Sequence, residues 1–365
     1  MSIYIHIPFC TNICSYCDFS KFYYNESWVD AYLIELEKEI KSRYKNEVIN
    51  TIYIGGGTPS SLSFKQLEKL FEIIKIFKYS NIEFTFESNI DITLDKLKLL
   101  SQAKVNRISI GLQTINSKLL KVLNRNHTKE EIIEKISFIK KYIKNINIDL
   151  MYALPNETLD DLKKDLEFFL SLDVNHISTY SLIIEPNTKL YIDGYKNIDE
   201  DMDYEMFKLI NKTLKNNGYI HYEISNYCKK GYESKHNLVY WNNLNYYGFG
   251  IGASSYINNT RSDNTRSYSD YINGKYTKEE HILDINETIS NEFILGFRKI
   301  DGINIDNFNS KYSINLLSLE VIKKLLKEKK LIIENDNIKI NEKYLYVQNS
   351  ILVEFLDLDY KNKRV

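Results

Sequence analysis

Short apolar runs alternate with longer amphipathic ones through the first half of this chain. Residues 3–7, 50–54, 82–87, 107–112, 146–151 and 177–182 are brief and rich in Ile or aromatic residues. That is the composition of strands buried in a parallel sheet. Residues 28–44, 64–77, 94–102, 129–143 and 159–170 space their apolar residues as helices do. Strand followed by helix, repeated around six strands, gives a parallel sheet with right-handed crossovers. Six units are too few for a closed eight-stranded barrel. The pattern therefore predicts an α/β fold, an open partial barrel of the (β/α)6 kind.

The pattern changes after residue 200. A helix-like run over 209–216 stops at Gly218. Two strings rich in polar and aromatic residues follow, His221-Tyr222-Glu223-Ile224-Ser225-Asn226-Tyr227 and His236-Asn237-Leu238-Val239-Tyr240-Trp241. Next comes the glycine-rich Gly248-Phe249-Gly250-Ile251-Gly252, and then polar residues over 258–278 that read as a surface excursion. Helix-like 287–298 and 316–327 precede a hairpin over 331–340, with Asn335-Asp336-Asn337 at its turn. This divides the chain into a core barrel over 1–235, a segment and surface linker over 236–283, and a smaller winged-helix-like α+β domain over 284–365. Winged helices elsewhere bind DNA. Here 48 basic residues face 49 acidic ones, a net charge of −1, and no basic stripe appears. Nucleic acid is therefore excluded as a partner held by bulk charge, and packing is the expected role of the C-terminal part.

Candidate chemistry starts at the end of the first strand. Cys10, Cys14 and Cys17 are spaced Cys-x3-Cys-x2-Cys. Three such thiolates can hold three corners of an iron–sulfur cube and leave the fourth iron open to a ligand. The same spacing binds zinc, with His6 completing a Cys3His site, and the cysteines alone leave both readings standing. Four cysteines in 365 residues do not make a disulfide framework, and Cys228 reads as a small buried hydrophobe. The start lacks the basic-then-apolar order of a signal peptide, and no run of about 18 apolar residues suggests a membrane span. The expected location is the cytoplasm, where thiols stay reduced. The other motifs also fall where parallel strands end, the place where such sheets bind ligands. Gly55-Gly56-Gly57-Thr58-Pro59 follows the second strand, Glu87-Ser88-Asn89 ends the third, Gln113 ends the fourth and Asp149 lies in the fifth.

These motifs together resemble the HemN/HemW branch of the radical S-adenosylmethionine (SAM) superfamily. The resemblance rests on Tyr4-Ile5-His6-Ile7-Pro8-Phe9-Cys10, Cys14-Ser15-Tyr16-Cys17-Asp18-Phe19 and Asn106-Arg107-Ile108-Ser109-Ile110-Gly111-Leu112-Gln113. It also rests on Leu123-Asn124-Arg125-Asn126-His127-Thr128, Asn147-Ile148-Asp149-Leu150-Met151-Tyr152 and Tyr222-Glu223-Ile224-Ser225-Asn226. It implies a [4Fe–4S] cluster on Cys10, Cys14 and Cys17, with SAM on the fourth iron. Tyr4 and Tyr16 would flank them. Gly56, Gly57 and Thr58 would admit SAM closely, and Glu87, Gln113, Arg125 and Asp149 would contact its polar groups.

Two activities exist in this branch. The oxygen-independent coproporphyrinogen III dehydrogenase, which makes protoporphyrinogen IX, carries another Cys two residues after the third ligand. Phe19 stands there in this chain. The branch's haem chaperones carry Cys-Asp-Phe and a His-Asn-x-x-Tyr-Trp string, present as Cys17-Asp18-Phe19 and His236, Asn237, Tyr240 and Trp241. The resemblance thus implies a chaperone that binds haem, with His236 as candidate axial ligand, and passes it to an unidentified acceptor protein. It is compatible with peripheral membrane contact and with an electron donor such as flavodoxin or ferredoxin. Three departures stand out. Glu87-Ser88-Asn89-Ile90 replaces Glu-Ala-Asn-Pro, and Ala153-Leu154-Pro155-Asn156-Glu157 replaces Gly-Leu-Pro-Gly-Gln. Ser254 stands where His is common. The first two are expected to alter only loop shape.

Overall fold

In the computed structural model, which describes residues 1–360, the chain builds a twelve-stranded sheet with one aliphatic and one polar face. In chain order the strands are β1 (Ser2–Ile7), β2 (Val48–Gly56), β3 (Lys78–Ser88), β4 (Arg107–Gln113), β5 (Asn145–Tyr152) and β6 (His176–Ser181). They continue as β7 (Ile220–Glu223), β8 (Asn226–Cys228), β9 (Tyr246–Phe249), β10 (Ser254–Ile257), β11 (Thr260–Asn264) and β12 (Thr277–Ile282). Their spatial order is β12-β11-β10-β9-β1-β2-β3-β4-β5-β6-β8-β7. β1 to β6 are mutually parallel, as expected, and the sheet does not close.

Side chains alternate across a strand, and this sets the two faces. On β1, Ile3, Ile5 and Ile7 are fully buried in the main apolar core beneath the helices. Tyr4 and His6 take the other face. Register carries that polar face across the sheet, pairing Tyr4 with Tyr53, Glu87 with Ser109, Ser109 with Asn147 and Asp149 with Ser178. Crossover helices Glu26–Arg43, Phe64–Ile74, Leu94–Gln102, Lys129–Tyr142 and Leu159–Ser171 cover the aliphatic face, each within a few residues of its expected span. Ser63, Thr128 and Thr158 start three of them with capping boxes.

Two expectations fail. The glycine-rich segment supplies a seventh parallel strand, β9, paired with β1. Gly248 lets β10 come close on its other side, because a Cβ there would lie 2.0 Å from the Ser254 carbonyl oxygen. The stretch expected as a surface excursion within a 236–283 linker instead forms β11, helix Tyr268–Ile272 and part of β12, all continuous with the sheet. Polarity misled here because its anchors are themselves polar. Glu39, fully buried, accepts from Arg43 Nη1 (2.6 Å), Gly250 N (2.8 Å), Asn264 Nδ2 (2.7 Å) and Tyr271 OH (2.7 Å).

A second apolar cluster gathers residues from Ile289 to Tyr360. Helices Ile285–Gly296, Ile305–Tyr312 and Glu320–Lys327 pack there with a small antiparallel sheet that contains the expected hairpin, Leu331–Glu334 with Asn337–Ile340. The helix expected over 316–327 is broken. Leu316–Ser318 is a 3-10 turn, and Leu319 is extended so that Leu316 and Leu319 both reach the core. Among the described residues no helix is long and apolar enough to cross a membrane.

Replacing Glu39 by Ala removes a charged acceptor shared by four donors in a buried site. Urea denaturation of Glu39→Ala should show a loss of about 3 kcal/mol. An unchanged midpoint would show that the β9–β11 extension does not depend on this carboxylate.

Candidate functional site

The cluster loop is pinned at both ends. Phe9–Cys10 pairs with Phe22–Tyr23, which closes the base of the loop. At its tip Ser15 N donates to Leu123 O (3.1 Å), and Leu190 N donates to Ser15 O (2.9 Å). Lys21 Nζ donates to Cys17 O (2.5 Å). Cys10, Cys14 and Cys17 are free thiols lining one cavity of about 640 Å3. Burial pushes the Cys10 thiol up to about 11 and raises that of Cys17, so both are protonated before a metal displaces the proton.

The zinc reading loses its fourth ligand. His6 Nδ1 bonds Tyr4 OH (2.9 Å) and His6 Nε2 bonds Ser20 O (2.8 Å), so neither ring nitrogen is free. Among the described residues no group of three or more His, Cys, Asp or Glu is arranged to hold a metal ion. A cube presents three irons at separate corners, so its thiolates must surround a volume rather than a point. Three thiols spread around one cavity suit that need.

The cavity opens at the carboxyl ends of the parallel strands. Of the thirteen residues the sequence singles out, eleven line it: the three cysteines with Tyr16, Gly56, Gly57, Thr58, Glu87, Gln113, Arg125 and Asp149. The glycine turn presses against the cluster loop. Gly57 N donates to Ile7 O (2.9 Å), and a Cβ on Gly57 would lie 3.0 Å from Cys10 Sγ. Gly56 has φ +113°, and a Cβ there would meet the His6 ring at 2.6 Å. These glycines are thus required by the protein's own packing as well as by any ligand. Thr58 Oγ1 donates to Cys10 Sγ at 3.5 Å.

The carboxylates are held by the polar face. Glu87 accepts from Tyr53 OH (2.6 Å) and Gly56 N (3.0 Å), yet burial pushes its carboxyl up to about 7. Asp149 accepts from Asn147 Nδ2 (2.8 Å) and is also raised by burial. Arg125 Nη1 donates to Gly111 O (2.7 Å), and its guanidinium lies beside Tyr16 and Cys14. Two buried polar atoms at this cavity have no partner, Gln113 Oε1 and Arg125 Nε. They leave one acceptor and one donor for a polar ligand. The lining carries Asp18, Glu87, Asp91, Asp149 and Glu185 against Lys21 and Arg125. That balance favours a ligand bearing positive charge, as the sulfonium and ammonium of SAM do.

Two candidates are misplaced. Tyr4 does not line the cavity; its hydroxyl is bonded to His6 inside the barrel. His236 is 1% exposed, with Nδ1 bonded to Thr51 Oγ1 (2.8 Å) and Nε2 to Tyr240 OH (2.8 Å). It sits in helix Lys235–Trp241, whose first amides donate to the Glu83 carboxylate (both 2.9 Å). Thr51 lies five residues before Gly56 on β2, so this helix closes the opposite mouth of the barrel, with Tyr53 between His236 and Glu87. With both nitrogens committed, His236 cannot ligate haem iron in this structure. The packed-turn role of the string is the one observed.

The sequence reading also missed cavity residues, among them Tyr180, Ser109 and Lys21. A period-two count along β6 would have found Tyr180, two residues beyond Ser178, the register partner of Asp149. Ala153 and Asn156, which stand where the family pattern has Gly, keep left-handed φ values of 58° and 66°. Both positions thus lie in the region of backbone space that glycine favours.

Residues 4–169 match the family model of the radical SAM superfamily. The heme chaperone HemW of Lactococcus lactis subsp. lactis (strain IL1403) is 39% identical, over 97% of this chain and 97% of that protein. The heme chaperone HemW of Bacillus subtilis (strain 168) is 40% identical over 86% of this chain and 88% of its own length. The structure of coproporphyrinogen III oxidase (HemN) from Escherichia coli superposes with a TM-score of 0.85, covering 97% of this chain and 89% of that one. Its identity is 20%, so that likeness speaks to the fold alone.

Glu87 gives the cavity a pH signature. Its folded value, about 7, lies above the 4.5 of a glutamate in water. The folded state therefore holds a proton that the unfolded chain releases, and stability falls as pH rises between those values. In metal-free protein, Glu87→Gln should remove about 3 kcal/mol of the fall between pH 5 and pH 8. Parallel stability curves for wild type and variant would refute the buried, protonated state.

Proposed function

The chain belongs to the HemW family of radical SAM proteins, and from that membership we propose that it is a haem chaperone. It binds haem, a [4Fe–4S] cluster and SAM, and passes haem to an acceptor protein. The observation that carries this reading is near full-length similarity to proteins named heme chaperones. One detail of the site supports it. Phe19 lines the cavity and is 63% exposed, at the position where the dehydrogenase branch has a further cysteine.

Cys10, Cys14 and Cys17 would hold the cluster. Gly56, Gly57, Thr58, Glu87, Gln113, Arg125 and Asp149 would hold SAM, with Tyr16 beside them. A reduced cluster held there would supply one-electron chemistry to a bound sulfonium. The chain's own residues bind and orient. Asp149 offers a carboxylate to hydroxyl groups, Gln113 Oε1 an open acceptor and Arg125 Nε an open donor. Lys21 ties the loop that carries Cys17. A one-electron donor of the flavodoxin or ferredoxin class would serve the cluster, and a reducing cytoplasm suits its thiols. Any membrane contact would be peripheral.

Anaerobically reconstituted protein titrated with haemin should give a saturable Soret change near roughly one haem per chain. The same protein with SAM and reductant should form no protoporphyrinogen IX from coproporphyrinogen III. Robust product formation would replace the chaperone by the dehydrogenase. Cys14→Ala should fail to hold the four-iron cluster.

His236→Ala separates plug from ligand. Loss of two buried hydrogen bonds should lower stability by about 1–3 kcal/mol, read by urea denaturation. The Soret position of the haem-loaded protein should stay where it is. A shifted Soret band would return His236 to the haem iron and require the helix Lys235–Trp241 to open.

A further inference from the structure

The turn that ends helix Ser117–Val122 is bonded to the cluster loop through side chains as well as backbone. Asn124 Nδ2 donates to Asn12 Oδ1 (2.9 Å) and to Ile13 O (2.8 Å). Asn12 Nδ2 donates back to Asn124 O (2.5 Å). Beside them Ser15 N donates to Leu123 O. These bonds reach residues 12, 13 and 15, which bracket Cys14 on both sides. Asn124 has φ 56°, a left-handed backbone that Asn adopts more readily than most residues. That conformation brings its amide over the loop.

Asn12 and Asn124 are both exposed. Exposed hydrogen bonds add little to global stability, because water competes for each group. What these bonds do is local. They restrict a segment whose middle thiol must meet the same object as two others fixed elsewhere, Cys10 by its short strand pair and Cys17 through Lys21. The next residue, Arg125, lies against Cys14 and Tyr16 from inside the cavity. One three-residue turn therefore touches the loop on its outer and inner sides.

We propose that Asn124 is a positioning residue for the cluster: its amide clamps residues 12 and 13 so that Cys14 is held toward the cavity corner shared with Cys10 and Cys17. The proposal rests on the assignment of the cluster to those three cysteines. It assigns Asn124 no contact with SAM, haem or the cluster.

The test uses the full chain, reconstituted anaerobically, as wild type, Asn124→Gly and Asn124→Asp. Glycine keeps the left-handed backbone and removes the amide. Aspartate keeps the shape and removes the donor. Both variants should bleach roughly fivefold faster or more under an iron chelator, the equivalent of one lost hydrogen bond. Their reduced, SAM-bound clusters should give an altered electron paramagnetic resonance spectrum, which a purely structural role would not produce. Thermal midpoints of the metal-free proteins should stay unchanged. If the glycine variant does not fold, the aspartate variant decides alone. Variants that bleach at the wild-type rate with the wild-type spectrum overturn this proposal and leave the cluster assignment standing. Wild-type protein that holds no four-iron cluster overturns both.

Discussion

Everything in this molecule follows from a parallel sheet with one polar face. Parallel strands are normally buried on both sides and read as continuous apolar runs. Here the inner face carries His6, Glu87, Arg107, Ser109, Asn147 and His176, all but Glu87 nearly inaccessible. Each such group must find a partner or incur the cost of desolvation. The result is a connected network. Asn147 bonds Ser109 and Asp149 through its amide nitrogen, and His176 and Ser178 through its oxygen. His176 passes the chain to Tyr222, whose hydroxyl accepts from Ser234 N, at the start of the helix that closes the far mouth. The curved sheet thus encloses a hydrogen-bonded interior that ends in the cavity at one mouth and in a packed plug at the other.

That architecture explains which parts of the chain could be read in advance. Six strands and five crossover helices were legible because the aliphatic face gives each strand an Ile-rich signal and each helix an amphipathic stripe. The glycines and carboxylates of the cavity were legible because they sit at strand ends, where a sudden glycine or carboxylate after an apolar run has few structural uses, whereas Tyr180, Ser109 and Lys21 were not. The strands β9 to β12 were not legible. Their place in the sheet depends on the pairing of β9 with β1 and on Glu39, more than 200 positions away in sequence, which holds Gly250 and Asn264. No local period reports a contact of that range.

The His236 string shows a different failure. Imidazole beside aromatic rings is compatible with a metal site and with a packed turn, and residue types alone do not separate them. The deciding facts are positional. Thr51 and Glu83, register partners in the middle of β2 and β3, are the groups that receive this helix. The Tyr222–Asn226 string belongs to the same junction. Ile224 N donates to Arg298 O, and Ile300 N to Tyr222 O. Two strings prominent in the sequence therefore fasten the barrel to the C-terminal helices. A motif can mark a family through its packing as firmly as through its chemistry.

The cavity has a further consequence for how the protein responds to its ligands. Glu87 and Asp149 are both raised by burial, and the lining holds more carboxylates than cations. On its own that arrangement opposes ionisation. A cationic ligand reverses the sign, because an opposite charge nearby favours the charged carboxylates. Binding and ionisation are then linked. The ligand draws protons off the cavity and stabilises the folded state by mass action. The same charge that raises the carboxylates selects what binds beside them. Gln113 Oε1 and Arg125 Nε add direction, since an acceptor and a donor without partners admit a ligand in few orientations. Selectivity at this site is therefore set by the interior polar face.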